Sequence, residues 1–250
     1  MAELALTHTG SGQVMTVMGP VAATALGITL MHEHILNDCR CWWHKPKDAA
    51  RLQLACEDVT PSILGELRMD PFFNLDNCAL EDERLAMAEL SQAATLGCRT
   101  VVDPTCRGIG RNPRALHRIA AATGLQIVMG AGYYLEASHP AEVGAMSPEA
   151  IADRIVTEAR EGVEDTGVRI GIIGEIGVSA DFTAAEQRSL RGAAQAARRT
   201  GLALMVHLPG WFRHAHRVLD MTEQEGADPR HTVLCHMNPS FADIEYQRSL

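Results

Sequence analysis

The sequence is short of several features that mark whole classes of protein. Its 22 Lys and Arg are outnumbered by 31 Asp and Glu, the net charge is −9, and the basic residues are scattered. Such a chain lacks the concentrated positive field that nucleic acid or an anionic membrane surface calls for. No run of 18 apolar residues occurs, so no bilayer span is read. The opening MAELALTHTGSGQVMTVMG lacks the basic segment and apolar core of a secretory leader. The cysteines (Cys39, Cys41, Cys56, Cys78, Cys98, Cys106 and Cys235) are odd in number and include no CxxC pair. That pattern points to free thiols in a reducing compartment rather than a disulfide framework. No glycine-rich phosphate loop follows an early strand, which leaves a doubly wound nucleotide-binding oxidoreductase without its fingerprint. What these absences leave is a soluble cytoplasmic protein, read as a single domain over 1–250. With 46% hydrophobic residues it has material for a large core.

What is present is alternation. From residue 81 onward, capped amphipathic helices take turns with short apolar runs. A helix over about 81–96 ends at Gly97 and is followed by RTVVD at 99–103. Asn112-Pro113 sets a capping residue before a proline suited to a first helical turn; that helix ends near Gly124, ahead of QIVMGAG at 126–132. Ser147-Pro148 opens the next, with Ile151, Ile155, Ala159 and Val163 on one face, and IGIIGEIG follows at 170–177. Thr183 with Glu186 forms a capping box, Gly201 stops that helix, and LALMVHL follows at 202–208. A helix over 211–225 leads to HTVLCHM at 231–237, and Ser240 with Asp243 suggests one more capped helix. Continuous apolar runs are what parallel strands covered on both faces need. Their spacing of about 30 residues predicts a (β/α)8 barrel, an α/β fold. Counting from a strand at 28–32, the chain holds six β/α units, with 12–19 as a small extra strand and 39–80 as a long connection covering one face.

The polar residues that end these apolar runs form a set. In ITLMHEH, His32 and His34 are two residues apart, and on a strand they project to one side with Glu33 on the other. With 11 histidines in 250 residues, chance alone supplies about 0.5 His-x-His pairs, so the motif is weak by itself. Glu175 ends the fourth barrel strand, His207 the fifth and His236 the sixth. An ionisable group ending an apolar strand is costly unless it is paired or ligating. Any one of these would read as an ordinary satisfied core residue. Four imidazoles and a carboxylate at equivalent strand ends read as a metal centre at the face where barrel enzymes keep their sites.

On these residues the chain resembles the phosphotriesterase-like branch of the amidohydrolase superfamily. HEH after the first strand, the acidic GEIG, VHLPG and CHM carry the likeness, with TVMGPVAATALGITLMHEH at the start and AGYYLEASHP after the third strand. The likeness implies a binuclear centre of two divalent ions, zinc foremost with Mn2+, Co2+ or Fe2+ as alternatives. By that likeness His32 and His34 hold the buried ion, His207 and His236 the exposed one, and Glu175 bridges them. Many relatives bridge with a carboxylated lysine; Glu175 stands in that place here, as in one sub-branch of the family. The family's last ligand is an aspartate ending the eighth strand, which accepts a proton from the attacking hydroxide. At six units by residue 250, that residue is expected in a longer chain. Asp103, ending the second strand, is read instead as a hydrogen-bonding or turn residue.

The activity this implies is hydrolysis by water activated between two cations, with no organic cofactor. The bond class is a lactone, a carboxylic ester or an N-acyl amide, with phosphotriesters as a side activity. Tyr133 and Tyr134 follow the third strand, and the likeness places one of them over the centre to orient substrate or stabilise an oxyanion. Arg107, Trp211 and Arg213 are the candidate substrate contacts. Trp42, Trp43 and His44 are candidates for the pocket wall or an oligomer contact, since a homodimer is expected. Cys39 and Cys41 lack the second close pair that a thiolate metal site would need. A silent homologue that binds small molecules or proteins is the competing reading.

Overall fold

The computed structural model describes residues 12–250; residues 1–11, read above for a leader, lie outside the described residues. The chain opens with β1 (Gln13–Thr16) and β2 (Gly19–Ala22), paired antiparallel with Thr16 opposite Gly19. This hairpin replaces the single strand expected over 12–19. The reversal rests on Gly19 at φ 115°, where a side chain would be strained, and on the Thr16 hydroxyl donating to Gly19 O at 2.7 Å. β3 (Ile28–Leu30) follows, then β4 (Asn37–Asp38).

The long connection is a self-contained excursion. It carries α1 (Ala49–Leu54) and α2 (Leu64–Met69) and returns as β5 (Ala79–Leu80), which pairs antiparallel with β4. Cys39 N donates to Cys78 O at 2.7 Å, clasping the two ends. Ala55, Ile63, Leu67 and Phe73 make its own small core, and the buried Asn74 amide donates to Leu54 O and Glu57 O at 2.7 and 2.8 Å. Trp42 stacks on Phe72 and also neighbours the Tyr134 side chain, while Trp43 donates to Phe73 O and His44 meets Asp70 inside the excursion.

The repeating part then runs α3 (Glu83–Thr95), β6 (Cys98–Asp103), α4 (Pro113–Thr123), β7 (Gln126–Met129), α5 (Pro148–Arg160) and β8 (Ile173–Gly177). It continues with α6 (Ala184–Thr200), β9 (Leu204–His207), α7 (Ala215–Gln224), β10 (Thr232–Cys235) and α8 (Ile244–Arg248). The helix starts follow side-chain chemistry. Asn112 accepts from Ala115 N, Ser147 from Ala150 N, Asp243 from Tyr246 N, and Thr183 and Glu186 satisfy both halves of the capping box. Gly124 and Gly201 end their helices in the left-handed conformation.

β3, β6 and β7 form one parallel sheet and β8, β9 and β10 another, each in sequential order. Backbone bonds from Gly171 N to Met129 O (2.9 Å) and Gly174 N to Ala131 O (2.7 Å) sew the two sheets together between β7 and β8. Glycine is required at this seam, because a Cβ on Gly130 would run into the Gly174 carbonyl. Among the described residues the sheets do not close: β3 and β10 are the outer strands of the two triplets.

Alternation along the strands divides the core. Val101, Ile127, Ile173, Leu204 and Val206 pack outward against Leu116, Ile119, Ile151, Ile155 and Leu190 of the helices. Val102, Val128, Met205 and Cys235, with Ile172, form a separate interior layer. Each fully buried Leu or Ile contributes roughly 1.5–3 kcal/mol. One buried ion pair braces this frame. Arg111 meets Glu158 of α5 with two bonds of 2.7 and 2.9 Å and also donates to Gly130 O at 3.1 Å.

Removing one partner of that pair strands a charge. Glu158→Ala should cost about 3–5 kcal/mol in urea unfolding, and Arg111→Met combined with Glu158→Leu should cost less than the single change. A loss below about 1 kcal/mol for Glu158→Ala would mean that the pair behaves as if exposed.

Candidate metal centre

β3 stops at Leu30, so His32 and His34 lie just beyond the strand, not on it as expected. The segment still runs beside β6, because Glu33 N donates to Val102 O at 3.0 Å. Both imidazoles reach Glu175 on β8: His32 Nε2 lies 2.9 Å from Oε2 and His34 Nε2 4.0 Å from Oε1. His207, the last residue of β9, sets Nδ1 3.1 Å from Oε1. His236 follows β10 and sets Nε2 3.1 Å from Oε2. Strict alternation would send Cys235 and His236 to opposite sides of the sheet. His236 adopts φ 60°, which breaks the alternation, and both residues come within reach of Glu175.

Glu175 is 2% exposed, and the side chains that meet its carboxylate among the described residues are four imidazoles rather than a lysine or arginine. Burial alone would raise its pKa. The hydrogen bonds from His207, His236 and His32 overcome that and hold the carboxyl well below its usual range. His32 is raised, chiefly by its bond to Glu175. His34 is lowered, chiefly by burial. A neutral His34 must carry one ring proton, and Thr105 Oγ1 lies 2.8 Å from its Nδ1. With the proton there, Nε2 is a free lone-pair donor facing Glu175.

Imidazole nitrogens and a carboxylate are the donors that zinc and its neighbours take, and here they converge on one buried anion. Two donor triplets, each with its ligand atoms within 4.8 Å of one another, share Glu175: His32–Glu175–Cys235 and Glu175–His207–His236. The residues present therefore fit a pair of divalent cations. Of the carboxylate oxygens, Oε2 meets His32 and His236, while Oε1 faces His207 and His34.

The two tyrosines part company. Tyr134 Oη sits 3.3 and 3.4 Å from the ring nitrogens of His207, and the rings meet edge to face at 4.8 Å. Burial, then the field of Glu175, raises its pKa and keeps the hydroxyl protonated. Tyr133 instead accepts from Arg154 at 3.3 Å. Arg107 is committed to Glu142 and Glu164, each at 3.2 Å, and Arg213 to Asp243 at 2.9 Å. Trp211 is 81% exposed. Asp103 is buried; its Oδ1 accepts from Thr105 N at 2.9 Å and its Oδ2 finds no partner among the described residues. Cys39 and Cys41 are free thiols.

Three residues of the site went unread in the sequence. Thr105 holds His34, Cys106 donates to Glu175 O at 2.9 Å, and Cys235 joins the first donor triplet. Only Cys235 had a local signal, its place beside His236 in CHM.

With this geometry in hand, the comparisons are consistent with one another. The family model described as the phosphotriesterase family matches residues 12–250. A phosphotriesterase-related protein of Nematostella vectensis is 36% identical over 230 residues, which is 90% of this chain and 65% of that one. The N-acetyltaurine hydrolase of Homo sapiens is 32% identical over 234 residues, covering 93% of this chain and 67% of its own. The chain thus spans about two thirds of the length of these relatives. A crystal structure of a resiniferatoxin-binding protein from Rhodobacter sphaeroides superposes with a TM-score of 0.96 at 61% identity, over 100% of this chain and 70% of that one. A family match along all the described residues, and relatives above 30% identity over nine tenths of the chain, lead to one conclusion: the chain belongs to the phosphotriesterase family.

Proposed function

We propose that the chain is the metal-binding part of a hydrolase that cleaves a carboxyl-type bond of a small molecule, with N-acyl amides first and lactones and carboxylic esters next. The observation that carries the reading is the buried Glu175 carboxylate, met by four imidazoles and no basic side chain among its described ion pairs. In this reading His32, His34, His207 and His236 would hold two divalent ions, zinc foremost, with the Glu175 carboxylate shared between them. Such ions would supply Lewis acidity toward water and toward the oxyanion of the scissile group.

The protein's own groups do the rest. Cys106 and Thr105 hold the backbone of Glu175 and the ring of His34, so both donors are set before anything binds. Tyr134 stays protonated beside His207 and can donate its hydroxyl proton as a hydrogen bond to a developing oxyanion. Tyr133 backs the loop through Arg154. Of the substrate candidates, Trp211 has a free face, whereas Arg107 and Arg213 reach a substrate only by exchanging their carboxylate partners.

Relatives named N-acetyltaurine hydrolases favour the amide within this bond class. A ligand-binding protein without turnover is the second reading, favoured by the name of the 61%-identical resiniferatoxin-binding protein. The same proposal takes 1–250 as a single domain, the first six units of an eight-unit barrel, working as a cytoplasmic homodimer. No helix among the described residues is long and apolar enough to cross a membrane.

Glu175→Gln keeps the shape and removes the charge between the cations. Metal content should fall from about two equivalents to one or none, and hydrolysis should drop by more than the roughly 10–100-fold that outer partners of ligands are worth. Bicarbonate added during zinc reconstitution should leave wild-type activity unchanged; a bicarbonate requirement would place the bridge elsewhere.

Tyr134→Phe should lower kcat about 100-fold or more with little change in KM or metal content, since an oxyanion donor acts mainly in the transition state. Equal loss in KM would make the hydroxyl a ground-state contact. On a panel with matched leaving groups, a carboxyl substrate should lead. A phosphotriester ahead by about tenfold in kcat/KM, roughly 1.4 kcal/mol of barrier, would reverse the bond class. Full metal loading with no turnover on any member would favour the binding protein.

A further inference from the structure

We propose that Cys235 is itself a ligand of the cation on the His32 side, which makes this centre a nitrogen, oxygen and sulfur site; the proposal rests on the divalent-ion reading above. Its thiol, a ring nitrogen of His32 and a carboxylate oxygen of Glu175 lie within 4.8 Å of one another, close enough for one ion to touch all three. The side chain is 8% exposed, so it has no competing water-facing role.

Other buried thiols of the chain behave differently. Cys78, Cys98 and Cys106 each donate to a backbone oxygen, those of Asn74, Thr100 and Glu175, at 3.2, 3.5 and 2.9 Å. Among the described residues Cys235 has no such acceptor. It caps the apolar interior layer of Val102, Val128, Ile172 and Met205, with the polar cluster on its other side. A buried cysteine is often no more than a small hydrophobe. This one closes a donor triplet.

The two triplets share Glu175 and nothing else. Each supplies three protein donors to its ion, and His34, whose Nε2 lies 4.0 Å from Glu175 Oε1, is the further nitrogen donor at the centre. Ligation takes the proton from the Cys235 sulfur and releases it to solvent, leaving a thiolate on the ion. A soft donor biases the site toward Zn2+ and Cd2+ over Mn2+.

The test is cobalt loading of the protein, read by absorption. Wild type should show both the visible d–d bands of bound Co2+ and a near-ultraviolet sulfur-to-cobalt band. Cys235→Ser should keep the d–d bands, lose the sulfur band, and shift preference away from Cd2+ toward Mn2+ by about tenfold or more. If wild type shows d–d bands without the sulfur band, or if the sulfur band survives in Cys235→Ser, the proposal is overturned while the metal reading stands. Absence of any bound ion by elemental analysis overturns both. Should Cys235→Ser fail to fold, cadmium NMR of the wild type decides: a sulfur-ligated resonance supports the proposal, and resonances from nitrogen and oxygen ligation alone overturn it.

Discussion

A carboxylate shut away from water is the constraint on which the rest of this structure turns. Leaving Glu175 ionised without a partner would cost several kcal/mol, and the buried Arg111 is spent on Glu158. The compensation comes from imidazoles carried by β9, by the turn after β10 and by the segment after β3. Those elements must therefore end at one level. The backbone of Glu175 is pinned from the second unit as well, through Glu175 N donating to Pro104 O at 2.7 Å and through the Cys106 thiol. Sheet register and site geometry are thus one requirement stated twice.

Much of the frame was legible in the sequence because its signals are local. Asn112-Pro113, Thr183 with Glu186, Gly124 and Gly201 mark helix ends by chemistry that acts over a few residues. What stayed hidden depends on backbone angle or distant pairing. The reversal at Gly19 lies inside an apolar run that reads as one strand, and β4 and β5 are two-residue strands with no pattern to detect. His32 was expected on a strand that ends before it.

The site divides the same way. His32, His34, Glu175, His207 and His236 stand out because ionisable residues rarely end apolar runs. Cys235 and Thr105 do not, since their roles come from the left-handed turn at His236 and from a contact between the first and second units. Arg107 and Arg213 looked available in the sequence. Their carboxylate partners lie far along the chain, at Glu142, Glu164 and Asp243, where only the fold brings them near.

The clasp between Cys39 and Cys78 has a mechanical consequence for the rest of the molecule. Because β4 and β5 leave and rejoin the body side by side, the excursion between them hangs from a single hinge-like root. Its length adds to the loop-closure cost only logarithmically, and it carries a small core of its own. At its root Cys41 packs against Tyr134, Ile109, Cys106 and Leu135. The content of the excursion can therefore be rebuilt wholesale, changing what shelters the tyrosine, while the ends of β3 and β6 stay where Glu175 needs them.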